Sequence, residues 1–194
     1  MPPRSPALRC PGATIVARCL LLLALGLFWV PASQAAQPPP DKQVVRRIQA
    51  GFLYNFIRFA NWPATSLPKD APLVIAILGD ASSAEILRHE LNDKKYETHP
   101  IVAKTVEADD PLEGVHMVFL LKKAPLTPAE LSARLGKRPV LTIGEAENFT
   151  QSGGMIRLFL QNDTFHFSLN LRAAREAGIN LSSQLDSMAD RENP

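Results

Sequence analysis

From Asp41 onward apolar residues recur at steps of three and four, at Val45, Ile48, Phe52, Phe56 and Phe59, while Arg47, Tyr54, Arg58 and Asn61 fall on the opposite side. This spacing predicts an amphipathic helix with Asp41 as its N-cap and Trp62-Pro63 as its stop. Leu73–Leu78 (LVIAIL) is a continuous apolar run closed by Gly79-Asp80, as expected of a strand covered on both faces. Residues 80–92 then read as a helix with Ile86, Leu87 and Leu91 inward, and residues 101–106 as a weaker strand. A second buried run spans residues 115–121, and a helix starts at Thr127 with Pro128 in its first turn and Gly136 at its end. Residues 140–143 form a short strand closed by Gly144.

Residues 155–160 and 165–171 flank the turn Gln161-Asn162-Asp163 and read as an antiparallel hairpin. In its second arm Phe165, Phe167, Leu169 and Leu171 alternate with Thr164, His166, Ser168 and Asn170, which predicts one core face and one wet face. A short helix over 171–177 stops at Gly178, and residues 179–188 fit either strand or helix. The order of elements predicts a single α/β domain: a mixed sheet with flanking helices and a C-terminal β-hairpin.

The ends of the chain change this picture. Residues 1–18 hold Arg4, Arg9 and Arg18 and no acid, residues 19–30 are apolar, and small residues follow to Ala36. That is the order of a secretory signal peptide, with an apolar core shorter than the roughly 20 residues of a spanning helix. Residues 1–36 are therefore expected to be removed on export, leaving a proline-rich spacer at 37–41 and a domain at 42–190. The whole chain has 21 Lys+Arg against 19 Asp+Glu, but three of the basic residues leave with the leader. A nearly neutral remainder offers no electrostatic reason to bind nucleic acid. Cys10 and Cys19, the two cysteines of the chain, leave as well, which excludes thiol chemistry from the mature domain.

Candidate chemistry is sparse. His89, His99, His116 and His166 form no metal-ligand spacing, so neither metal nor cofactor is expected. Asp80 follows a buried strand, where α/β sheets bind ligands, and it also fits the N-cap of the next helix. Gly153-Gly154 reads as turn freedom or as a nest of amides for an anion, so Asp80, Gly153 and Gly154 are the candidate ligand residues. Glu145 and Glu147 read as solvated loop charge. Ser82-Ser83 and Ser182-Ser183 lie in no nucleophile elbow, and no catalytic residue is nominated. Tyr54, Arg58 and Trp62 are the candidates for partner contact, being of the residue types that dominate binding hot spots.

Several segments in a fixed order carry a resemblance: FLYNF at 52–56 with Trp62-Pro63, ILGD at 77–80, RPVLTIG at 138–144, GGMI at 153–156, and Asn170-Leu171 through Ser182-Ser183-Gln184-Leu185. Together they resemble the YfiR family. The resemblance implies a non-enzymatic periplasmic protein of α/β fold. Such a protein inhibits an inner-membrane diguanylate cyclase through the periplasmic domain of that enzyme, lowering cyclic di-GMP and biofilm formation. It also implies an outer-membrane lipoprotein as a second partner, and a homodimer. The alternative is a periplasmic small-molecule-binding or sensor subunit. Where family members carry structural cysteines this chain has Ala76 and Val115, so redox control of that kind has no residues here. Ser168 stands where a glutamate is common, and Asp186 where an apolar residue is usual.

Overall fold

The computed structural model describes residues 41–190. The expected leader and residues 37–40 of the spacer lie outside the described residues. Among the described residues the elements are α1 (Lys42–Arg58), β1 (Ala60–Asn61), β2 (Leu73–Leu78), α2 (Ala81–Leu91), β3 (Lys95–Tyr96), β4 (His99–Thr105) and β5 (Met117–Leu120). They continue with α3 (Pro128–Leu135), β6 (Leu141–Gly144), β7 (Ile156–Gln161), β8 (Thr164–Leu169), α4 (Leu171–Glu176), β9 (Asn180–Leu181) and α5 (Ser183–Met188).

Seven strands form one mixed sheet in the order β3-β4-β2-β5-β6-β7-β8. The pairs from β4 through β7 are parallel, with β3 and β8 antiparallel at the two edges. Taken alone, the parallel strands run 2-1-3-4-5 in chain order, the doubly wound arrangement in which the chain reverses direction beside its first strand. The central strands are apolar on both faces because both faces are covered. Leu73, Ile75, Ile77, Met117, Phe119, Leu141 and Ile143 point into the larger core with α1, α2, α4 and α5. Ala76, Leu78, Val118 and Leu120 point the other way, to Leu131 and Leu135 of α3 and to Phe149.

Helix starts follow the capping chemistry of the sequence. Asp80 Oδ1 accepts from Ser83 N, and Thr127 with Glu130 forms a reciprocal capping box ahead of Pro128. The α/β sandwich with its C-terminal hairpin is the predicted architecture. The hairpin turn is the two-residue Asn162-Asp163, both at positive φ (49° and 58°), a backbone that Asn and Asp tolerate better than other side chains.

Four local expectations are corrected. The core stripe of α1 is Gln49, Ala50, Leu53, Phe56 and Ile57, with Ile48 47% exposed. The helix carries two apolar stripes, and a buried amide disguised the one that packs. Helix α1 also ends at Arg58, before Trp62-Pro63, because Ala60 and Asn61 pair with Leu181 and Asn180 of β9. In β8 the supposed wet face is covered at Ser168, which is 2% exposed. Residues 179–188 are neither all strand nor all helix: β9 leads through the Ser182 cap into α5.

Candidate functional site

In a doubly wound sheet the ligand crevice lies at the carboxyl ends of the strands, where the strand order reverses. Here that point is between β2 and β5. The chain leaves β2 through Gly79-Asp80, β5 through Leu121-Lys122 and β6 through Glu145. The N-terminal half of α1 supplies the opposing cations. Lys42 Nζ donates to Asp80 Oδ1 at 2.7 Å and also bonds Ser82 Oγ. Arg46 Nη1 meets Glu145 Oε1 at 2.5 Å and also donates to Gln49 Oε1, while Arg46 Nε donates to Ser83 Oγ at 3.0 Å. Gln49 Nε2 reaches Glu145 Oε1 at 2.5 Å, and Glu145 Oε2 accepts from Lys122 N at 2.6 Å.

The crevice is thus crossed by the protein's own ion pairs; Lys42 and Asp80 stay half-exposed, and a cavity of about 390 Å³ beside the second pair is lined by Arg46, Gln49, Lys122 and Glu145 among others. The Arg46 and Glu145 side chains keep only 14% and 11% of their exposure. Glu145, expected as solvated loop charge, is instead the acceptor that ties α1 to the ends of β5 and β6. A carboxylate directly after the Gly144 that closes a buried strand was the available signal. The Lys42 ammonium beside Asp80 holds its carboxyl well below the usual carboxylate range, with the Ser82 and Ser83 hydrogen bonds adding to the effect and partial burial opposing it. Asp80 therefore serves as cap and ion-pair partner together.

Gly153 and Gly154 lie elsewhere. They border a groove of about 470 Å³ between α3 and α4, with Ser132, Arg138, Gln151, Asn170 and Arg172 among its walls, and Asp80 lies outside it. A Cβ on Gly154 would sit 2.2 Å from the Phe149 ring, and one on Gly144 2.3 Å from the same ring. Phe149 is held between these two backbones. Gly153, at φ 94°, approaches Ser132. The pair therefore serves close packing as well as the turn.

Tyr54 and Trp62 come together at the β3 edge of the sheet. Tyr54 Oη donates to Lys95 O at 2.9 Å, with the Lys94 ammonium over its ring. Trp62 Nε1 donates to His116 O at 3.0 Å, and its ring meets Tyr96 edge-on. Arg58 lies one turn beyond Tyr54 and is exposed. His116 has a structural role, as its place in a buried run implied. Its Nδ1 accepts from Val74 N at 3.0 Å, so Nε2 carries the proton and donates to Ser66 O at 2.9 Å. Burial pushes its imidazole below the ordinary value, opposed by the Ser66 hydrogen bond and assisted by His99. His166 is only half-buried, stacked on Phe159 and bonded to Asp190 Oδ2 at 2.7 Å. Among the described residues no group of three or more His, Cys, Asp or Glu could hold a metal ion. No helix of the described residues is long and apolar enough to cross a membrane.

A doubly wound sandwich with its switch point crossed by salt bridges defines the class of fold. Residues 46–190 match the YfiR/HmsC-like family model, and the chain belongs to that family. No curated protein matches the chain. Among solved structures it is similar to a conserved domain protein from Vibrio cholerae O1 biovar eltor, at 10% identity and a TM-score of 0.46. That similarity covers 74% of this chain and 58% of the other, so the chain spans little more than half of that relative.

Proposed function

We propose that this protein is a non-catalytic regulator of the periplasm that binds the periplasmic part of an inner-membrane diguanylate cyclase, holds it inactive, and so lowers cyclic di-GMP and biofilm formation. Membership of the YfiR/HmsC-like family over residues 46–190 carries this reading. The ion pairs across the switch point support it. The position where α/β sheets place substrate is occupied by Lys42–Asp80 and Arg46–Glu145. A protein of this kind works by preferring one state of its partner. Moving a partner from 99:1 active to 99:1 inactive takes a preference of about 5.5 kcal/mol, within reach of a few buried anchors. Arg58, with Tyr54 and Trp62 beside it, is the proposed contact region, and an outer-membrane lipoprotein and a second copy of the chain are further proposed partners. Deleting the gene should raise cyclic di-GMP in the producing cell, and an unchanged level would remove the cyclase from the account.

The groove beside Gly153 and Gly154 favours a second reading, a small-molecule-sensing subunit of another envelope system. A ligand there would raise the unfolding temperature by mass action, since stabilisation grows as RT ln(1 + [L]/Kd). A metabolite screen with no shift would set that reading aside.

A further inference from the structure

Helix α1 has an outward face that no other element among the described residues covers. Val44 and Ile48 are 49% and 47% exposed, and Gly51 and Asn55 beyond them are exposed too. The four positions are spaced four, three and four residues apart, the spacing of a coiled-coil seam. A Cβ built on Gly51 meets nothing within 4 Å, so no neighbour in the fold requires glycine there. Glycine in the middle of a helix nevertheless weakens it. A small residue in a seam does what it cannot do in the monomer: it lets a second helix approach closely.

The charges around the seam narrow the occupant. Helix α1 carries Lys42, Arg46, Arg47 and Arg58 and no Asp or Glu. Arg47 remains 63% exposed while touching Glu90, and Arg58 is exposed at the far end of the seam. A second copy of α1 would bring only more cations to this face. We infer that the Val44–Ile48–Gly51–Asn55 face of α1 is a docking surface for one helix of a partner protein, with an apolar seam flanked by carboxylates. Asn55, polar within the seam, would fix the register of that helix. The inference deepens the regulator reading by placing the partner contact on α1, continuous with Arg58.

The test titrates the exported protein, purified from cells that make the full chain, into two fluorescent helical peptides. One has leucine at the a and d positions and glutamate at e and g; the other has lysine in place of glutamate. The glutamate peptide is expected to bind saturably, and the lysine peptide at least about 10-fold more weakly. Ile48→Gln and Gly51→Gln, both good helix formers at open positions, should each weaken the glutamate peptide at least about 10-fold while leaving the circular dichroism spectrum unchanged. No binding, equal binding of the two peptides, or variants that bind as the parent does would overturn the inference. A dimer in sedimentation that Ile48→Gln dissolves, or adsorption to anionic vesicles that it abolishes, would overturn it in favour of a second copy or a bilayer. The cell separates the two levels of the account. If deletion raises cyclic di-GMP and the Ile48→Gln chain restores it fully, the docking face is wrong and the regulator stands. If deletion changes nothing, the regulator reading fails and the titration still decides the face.

Discussion

Arg46 and Glu145, ninety-nine positions apart in the chain, meet at 2.5 Å across the carboxyl ends of the parallel strands. Their contact joins the first helix of the domain to the loop that follows its fourth parallel strand. It also occupies the place where this sheet topology accommodates ligands.

The pair is mostly buried and shares its hydrogen bonds with Gln49 and Lys122 N, so removing one member strands a charge. Arg46→Ala and Glu145→Ala should each lower stability by about 3 kcal/mol, whereas Arg46→Met with Glu145→Leu should lose much less, since an apolar replacement strands nothing. Urea titration of the three proteins checks this, and equal losses for single and double variants would contradict it.

His116 makes the fold sensitive to acid. Its folded value lies below the unfolded one, so the unfolded chain takes up the proton first as pH falls. The stability it contributes is fully present above the ordinary value of about 6.5 and is lost as pH falls through the window beneath. The physical event is a proton arriving on Nδ1, which already accepts from Val74 N. The urea midpoint should fall between about pH 7.5 and about pH 5 in the parent and fall less steeply in His116→Gln.

Phe149 is fully buried between the backbones of Gly144 and Gly154. Gly154→Ala should cost about 2 kcal/mol or more by overpacking. In Phe149→Leu the same Gly154→Ala change should cost less, because the ring that the new methyl meets is gone. A double-mutant cycle by thermal unfolding measures the coupling, and strict additivity would contradict this packing.

Gly51 gives the opposite sign. With open space around it and a helical backbone, Gly51→Ala should stabilise the protein by about 1 kcal/mol, read as a raised unfolding temperature.

The parts of this fold that were legible beforehand are those set locally. Asp80 and Thr127 stand where caps are needed, Asn162-Asp163 where the chain turns, and the run at Leu73–Leu78 where both faces of a strand are covered. What escaped depends on distant partners. Gln49 is polar by type and 2% exposed because Glu145 and Arg46 reach it, so the periodicity of α1 pointed to the wrong stripe. The strands β1 and β9 have two residues each, too few for any pattern, and exist through pairing across the domain. At the candidate site Asp80 was legible as a cap, while Glu145 read as solvated loop charge, and Lys42 and Arg46 carried no signal until the sheet brought them together.

The central claim is that this chain acts from outside the cytoplasm, by contact, to keep a cyclase quiet. The most direct measurement is the cellular cyclic di-GMP level in a strain lacking the gene, complemented either by the full chain or by one without residues 1–36. The account predicts a rise on deletion, reversal by the full chain, and no reversal by the chain that is not exported. An unchanged level on deletion, or full reversal by the chain retained in the cytoplasm, would contradict it.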